Sequence, residues 1–175
     1  AAFSIPAIDI LMRRSRREGY EGVRCIIMEP TRELAHQVGE VVEKLARNSG
    51  LNILSIYGGV DQIPQIAKLQ QGVDILIATP GRLFDLAAQG YLRTTGCELL
   101  ILDEADHMRD LGFIDDIRQL IKFLPRRRQT LFFSATIDEK IKKLAYSLVF
   151  KPVHIRISPK NMVSRTVIHT LLRVT

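Results

Sequence analysis

Short apolar runs and longer amphipathic stretches alternate along the chain. Cys25-Ile-Ile-Met28, Asp74-Ile-Leu-Ile-Ala78 and Leu99-Leu-Ile-Leu102 read as strands, their apolar residues following one another without a polar alternate. Segments 52–57, 130–133 and 153–157 are the remaining predicted strands. Helical periodicity predicts helices over 3–12, 32–47, 63–71, 81–89, 113–123 and 138–148. In the first, Ile5, Ile8, Leu11 and Met12 make the apolar side and Pro6 predicts a kink. In the second, the buried stripe is Leu34, Ala35, Val38, Val41, Val42, Leu45 and Ala46. Strands that alternate with helices of this length need crossover connections. The expected fold is therefore α/β, a mainly parallel β-sheet covered by helices on both faces.

Polarity gathers where these strands end. Glu29-Pro-Thr-Arg-Glu33, Tyr57-Gly-Gly59, Ala78-Thr-Pro-Gly-Arg82, Asp103-Glu-Ala-Asp106 and Ser134-Ala-Thr136 each follow a predicted strand. In a parallel sheet all C-terminal strand ends lie on one edge, where helix N-termini also point, so the five clusters should share a rim. Each has a local explanation as well. Thr31 and Thr79 suit N-cap positions, Pro80 suits a first helical turn, and Thr136 with Glu139 has capping-box spacing. Capping does not account for Arg32 and Arg82 on the same edge, nor for the diglycine Gly58-Gly59. Helix-start amides, glycines that permit close approach and arginines are what a phosphate chain requires. The acidic cluster also reads two ways. Carboxylates open helices well, but three within four positions after a buried strand suggest a cationic partner.

Composition narrows the function classes. With 175 residues, 46% hydrophobic and 25% charged, the chain is long enough for one domain with a real core. It has no apolar run of transmembrane length and no signal-peptide pattern, so an intracellular protein, cytoplasmic or nuclear/nucleoid, is expected. Cys25 and Cys97 lack metal-ligand spacing and read as reduced thiols. The net charge of +6 is concentrated at Arg13-Arg14-Ser15-Arg16-Arg17, Arg126-Arg127-Arg128 and Lys140–Lys143, a balance suited to a polyanion.

Taken in order, Pro30-Thr-Arg-Glu-Leu-Ala35, Gly58-Gly59, Thr79-Pro-Gly-Arg82, Asp103-Glu-Ala-Asp106 and Ser134-Ala-Thr136 resemble the motifs of the first RecA-like domain of DEAD-box ATP-dependent RNA helicases. The resemblance implies a RecA-like three-layer sandwich, with ATP and Mg²⁺ as cofactors and RNA as partner. It implies that Asp103 holds the Mg²⁺ through water and that Glu104 positions or deprotonates the attacking water. Asp106, Ser134 and Thr136 would couple nucleotide state to RNA grip. Pro30, Thr31, Arg32, Gly59, Thr79, Gly81 and Arg82 would hold the RNA backbone with little sequence preference. No membrane is implied.

The family's phosphate-binding loop and its second RecA-like domain have no counterpart in residues 1–175. On the resemblance, 1–160 is expected to be a partial first domain and 161–175 a linker or the start of the second, within a longer protein. The strand preceding the phosphate loop would lie beside the strand at 99–102, and its absence would open a gap in the sheet. Two functions remain: part of an RNA helicase core, or a non-catalytic module that binds RNA backbone without ATPase activity.

Overall fold

Five four-residue strands pair parallel and in a common register. They are β1 (Cys25–Met28), β2 (Ile53–Ile56), β3 (Ile75–Ala78), β4 (Leu99–Leu102) and β5 (Gln129–Phe132), in the spatial order β2-β3-β1-β4-β5. Cys25 lies opposite Ile75 and Leu99, Ile53 opposite Ile75, and Leu99 opposite Gln129. The structure, a computed structural model, describes residues 2–14, 22–149 and 151–157. The segment 161–175 and Arg16 and Arg17 of the basic run lie outside the described residues.

The three middle strands, β1, β3 and β4, are buried along their whole length, as their unbroken apolar sequence demands. Alternate residues feed two cores. Cys25, Ile27, Ile75, Ile77, Leu99 and Ile101 face α1 (Ser4–Arg13) and α2 (Arg32–Ala46). Ile26, Met28, Leu76, Leu100 and Leu102 face the opposite layer, built from α3 (Ile63–Gln70), α4 (Pro80–Ala88), α5 (Ala105–Asp110), α6 (Ile114–Ile121) and α7 (Glu139–Leu148). This is the three-layer α/β sandwich expected. The two cysteines are buried free thiols, and burial raises both pKa values, that of Cys97 to about 12, so neither is primed to react.

Several expectations need correction. Segment 153–157 forms no strand: Val153, Ile155 and Ile157 are nearly fully exposed. Its alternating sequence can supply one apolar face, but here no neighbouring strand takes it up. No gap opens beside β4 either, because β1 occupies one edge and β5 the other. Pro6 falls in the first turn of α1, where a missing amide costs nothing, and the helix continues to Arg13. The apolar stripes are narrower than read. Ile5 and Met12 on α1 and Val41 and Leu45 on α2 are exposed, while Ala7 on α1 and Gly39 on α2 are buried.

At the N-terminal edge of the sheet a buried ion pair fastens the layers. Arg24 precedes β1 and Glu98 precedes β4, and the guanidinium donates to the carboxylate from Nε and Nη2, both at 2.9 Å. The same guanidinium donates to the Leu11 carbonyl at 3.1 Å and the Arg14 carbonyl at 2.8 Å, closing the end of α1. Both side chains are buried, so removing Arg24 leaves the Glu98 charge in the core with only a longer contact from Arg14 Nη1, at 3.7 Å. Arg24→Met should lower unfolding free energy by about 3–5 kcal/mol, and adding Glu98→Gln should recover most of the loss. Denaturant titration of the two variants checks this.

Candidate functional site

Because the strands are in register, the residues that follow them stand in one row. Along the rim the row reads Tyr57, Thr79, Glu29, Asp103 and Phe133. The strand order sorts the clusters. The diglycine, the Thr79–Arg82 turn and the Pro30–Arg32 turn are contiguous, and the acidic cluster and Ser134–Thr136 lie together beyond β1.

On the first side, a cleft of about 340 Å³ is lined by Gly58, Thr79, Gly81, Arg82, Asp85 and Phe113. Gly59 has φ +78°, a conformation that favours glycine, whereas a Cβ on Gly81 would meet only ordinary contacts with Phe113 and Asp116. Arg82 donates from Nη2 to the Val60 carbonyl at 2.9 Å, tying α4 to the diglycine loop, while its buried Nη1 has no partner among the described residues. Arg32 is exposed and stacks its guanidinium over the Tyr57 ring at 5.1 Å. Thr31 does cap α2, accepting from the Leu34 amide at 3.3 Å, which leaves its hydroxyl proton to donate elsewhere. Thr79 occupies the N-cap position of α4 without making the side-chain capping bond. Pro30 is buried, so it shapes the turn and presents no side chain to the cleft.

On the second side, Glu104 is forced into the left-handed region, φ 48° and ψ 50°, as the chain passes from β4 into α5. Its amide donates to Asp103 Oδ1 at 3.0 Å. Helix α5 has no counterpart among the helices predicted from periodicity, because six residues are too few for it to register. It carries Asp106, whose Oδ2 accepts from the Thr136 amide at 2.9 Å and the Thr136 hydroxyl at 2.7 Å. The Ser134 hydroxyl donates to the Thr136 carbonyl at 2.6 Å. Burial works to raise the Asp106 pKa, but the two bonds from Thr136 lead the effects that hold it below its ordinary value. The capping box is not formed. Asp138 caps α7, accepting from the Ile141 amide at 2.8 Å, and Thr136 belongs to Asp106.

Between the two sides sits Glu29, which follows β1 and belongs to none of the motifs that carry the resemblance. It is buried at the end of β1, and its Oε1 has no hydrogen-bond partner among the described residues. Burial, then the charges of Asp103 and Glu104, push its pKa from 4.5 to about 8. Burial likewise raises that of Asp103, with Glu104 adding to the effect. Among the described residues no three His, Cys, Asp or Glu side chains converge as a preformed metal site. Magnesium does not need one, since it shares one or two carboxylates with substrate phosphates and water. A half-buried Asp103 beside an orphaned carboxyl oxygen fits such a shared cation.

The whole chain can be compared with known proteins. Residues 1–144 match the DEAD/DEAH box helicase family. The chain is 37% identical over 174 residues to the DEAD-box ATP-dependent RNA helicase CshA of Streptococcus pneumoniae, covering 99% of this chain and 32% of that protein. It is 40% identical over 162 residues to the ATP-dependent RNA helicase CshA of Listeria monocytogenes, covering 93% and 30%. Its sequence thus spans about a third of these relatives. Among solved structures, the crystal structure of a yeast DEAD-box splicing factor superposes with a TM-score of 0.77 at 34% identity, over 86% of this chain and 37% of that one. A hypothetical ATP-dependent RNA helicase from Sulfolobus tokodaii superposes with a TM-score of 0.74 at 34% identity, over 86% and 42%.

The Glu29 carboxyl makes its own prediction. Protonated when folded and ionised when unfolded, it takes up a proton on folding between pH 4.5 and about 8. Stability should fall as pH rises through that window and level off above it. Glu29→Gln removes this dependence. It should be nearly neutral at pH 5 and more stable than wild type by about 1–3 kcal/mol at pH 8.5, read from denaturant midpoints at both pH values.

Proposed function

This chain belongs to the DEAD/DEAH box helicase family, and we propose that it supplies one face of an ATP-dependent RNA helicase that couples ATP hydrolysis to RNA strand separation or RNP remodelling. The observation that carries the reading is the sorting of five polar clusters along one sheet edge, three suited to phosphates and two to hydrolysis. Single-stranded RNA is the partner on the first side. Arg32, held by Tyr57, and Arg82, held against the diglycine loop, meet backbone phosphates. Thr31, Thr79 and the amides at Gly59 and Gly81 donate to phosphate and sugar oxygens, and Pro30 fixes the turn that presents Thr31. Readout of backbone gives little sequence preference.

On the second side, Asp103 would hold Mg²⁺ through water, with Glu29 at the end of the neighbouring strand. Bound Mg·ATP would supply an electrophilic γ-phosphorus and a metal able to offset charge on the phosphate oxygens. Glu104 orients a water and accepts its proton. Asp106 bonds both the amide and the hydroxyl of Thr136, so a displacement of α5 moves the Ser134–Thr136 loop with it. This link joins nucleotide state to RNA grip. Residues 1–160 act as part of a first RecA-like domain, and 161–175 lead to a second RecA-like domain, the partner that closes the site. No helix among the described residues is long and apolar enough to cross a membrane, and the reading places the protein inside the cell, with its RNA.

Two experiments on the full-length protein test this. Glu104→Gln should lower kcat by about 10²- to 10⁴-fold with ATP affinity nearly unchanged, and RNA should stay bound longer because release follows hydrolysis. Lost ATP binding at normal turnover would refute the role of Glu104. For single-stranded RNA, Arg32→Ala or Arg82→Ala should weaken all sequences alike and flatten the slope of log affinity against log salt by about 0.7. A base-specific loss would instead indicate sequence readout.

A further inference from the structure

Glu104 has a neighbour that the family motifs do not include. His107, one turn into α5, places Nδ1 3.2 Å from Glu104 Oε2. We propose that His107 is a positioning residue for Glu104, donating its Nδ1 proton to hold the carboxylate in the geometry that water activation needs. This rests on the role assigned to Glu104 above.

Three features of the site lead to it. Glu104 has three side-chain torsions, a half-exposed carboxylate and a backbone fixed in the left-handed region. Asp103, its immediate neighbour at the end of β4, repels it, its own pKa raised in part by the Glu104 charge. Glu29 Oε1, buried at the end of β1, has no hydrogen-bond partner among the described residues and so does not hold it. Among the described residues the one hydrogen bond to its side chain comes from His107. A carboxylate offers only lone pairs, so Nδ1 must be the protonated nitrogen, and Nε2 faces away from the pair. An exposed contact three residues apart in a helix contributes little to folding. Its value lies in orientation, because a base misplaced by about 1 Å loses much of its effect.

The test combines kinetics with a spectroscopic signature in the full-length protein. His107→Ala should lower RNA-stimulated kcat by about three- to tenfold, leaving KM for ATP and the thermal unfolding midpoint unmoved. His107→Asn, whose amide can donate from near the Nδ1 position, should restore most of the rate. In a Glu104→Gln background, His107→Ala should add no further loss. Without nucleotide, ¹⁵N NMR of the neutral His107 ring should show the Nδ1–H tautomer in wild type, and Glu104→Ala should return it to the Nε2–H form preferred in water. The proposal is overturned if His107→Ala leaves kcat intact, if its loss multiplies with that of Glu104→Gln, if Asn fails to rescue, or if the tautomer ignores Glu104. Should Glu104→Gln itself turn over at the wild-type rate, the role of Glu104 falls first and this one with it; a slow Glu104→Gln beside a normal His107→Ala overturns this proposal alone.

Discussion

Parallel pairing in a common register is the constraint on which the rest of the molecule depends. Every strand is four residues long and every pair is matched residue for residue, so the chain leaves the sheet five times at the same height. A one-residue slip of any strand would exchange its two faces between the cores and lift its terminal cluster out of the row. The packing that fixes register and the geometry that assembles the rim are therefore one and the same. Burial of Ile26, Leu76 and Leu100 against one helical layer and Ile27, Ile77 and Ile101 against the other enforces both. The Arg24–Glu98 pair performs a similar task at the opposite edge, locking β1 to β4 and to the end of α1.

That alignment has an electrostatic consequence. The neighbours β1 and β4 are followed by Glu29 and Asp103, and Glu104 comes next, so three carboxyl groups lie close enough for their charges to interact, the first of them buried. The folded chain relieves the crowding by keeping Glu29 protonated well above the ordinary carboxylate range. A divalent cation would relieve it differently, by offsetting the charge directly. The same crowding leaves Glu104 turned toward His107.

Much of this was legible in the sequence, for identifiable reasons. Unbroken apolar runs such as Leu99–Leu102 can only be buried strands, and polar clusters behind them in a parallel sheet must share an edge. What stayed hidden depends on tertiary neighbours. Glu29 becomes a buried carboxyl only because β1 lies beside β4, an adjacency that no local pattern encodes. Thr136 had a capping partner in Glu139 at the right spacing, yet Asp106, thirty residues away, takes its hydroxyl while Asp138 serves as cap. Segment 153–157 has a strand's alternation without a strand's neighbour. Helix α5 escaped because its six residues bury only Ala105 and Met108, too few for an apolar stripe to register.

The strand order also keeps two kinds of polar cluster apart on one small rim. Because β1 sits at the centre of the sheet, the phosphate-suited turns after β2, β3 and β1 form one continuous surface, and the clusters after β4 and β5 form the other. Neither interrupts its neighbour. A signal between them has two physical routes. One runs through the backbone of β1 itself, whose last residue is followed by Glu29 beside the acidic cluster and then Pro30 and Thr31 beside the phosphate-suited turns. The other runs through α5, where Asp106 holds Thr136 and Arg109 pairs with Asp138, so that the helix behind Glu104 and the loop after β5 are bonded at two points. Two attachments resist rotation where one would act as a pivot. A shift of α5 would therefore pull on the Ser134–Asp138 loop at both points.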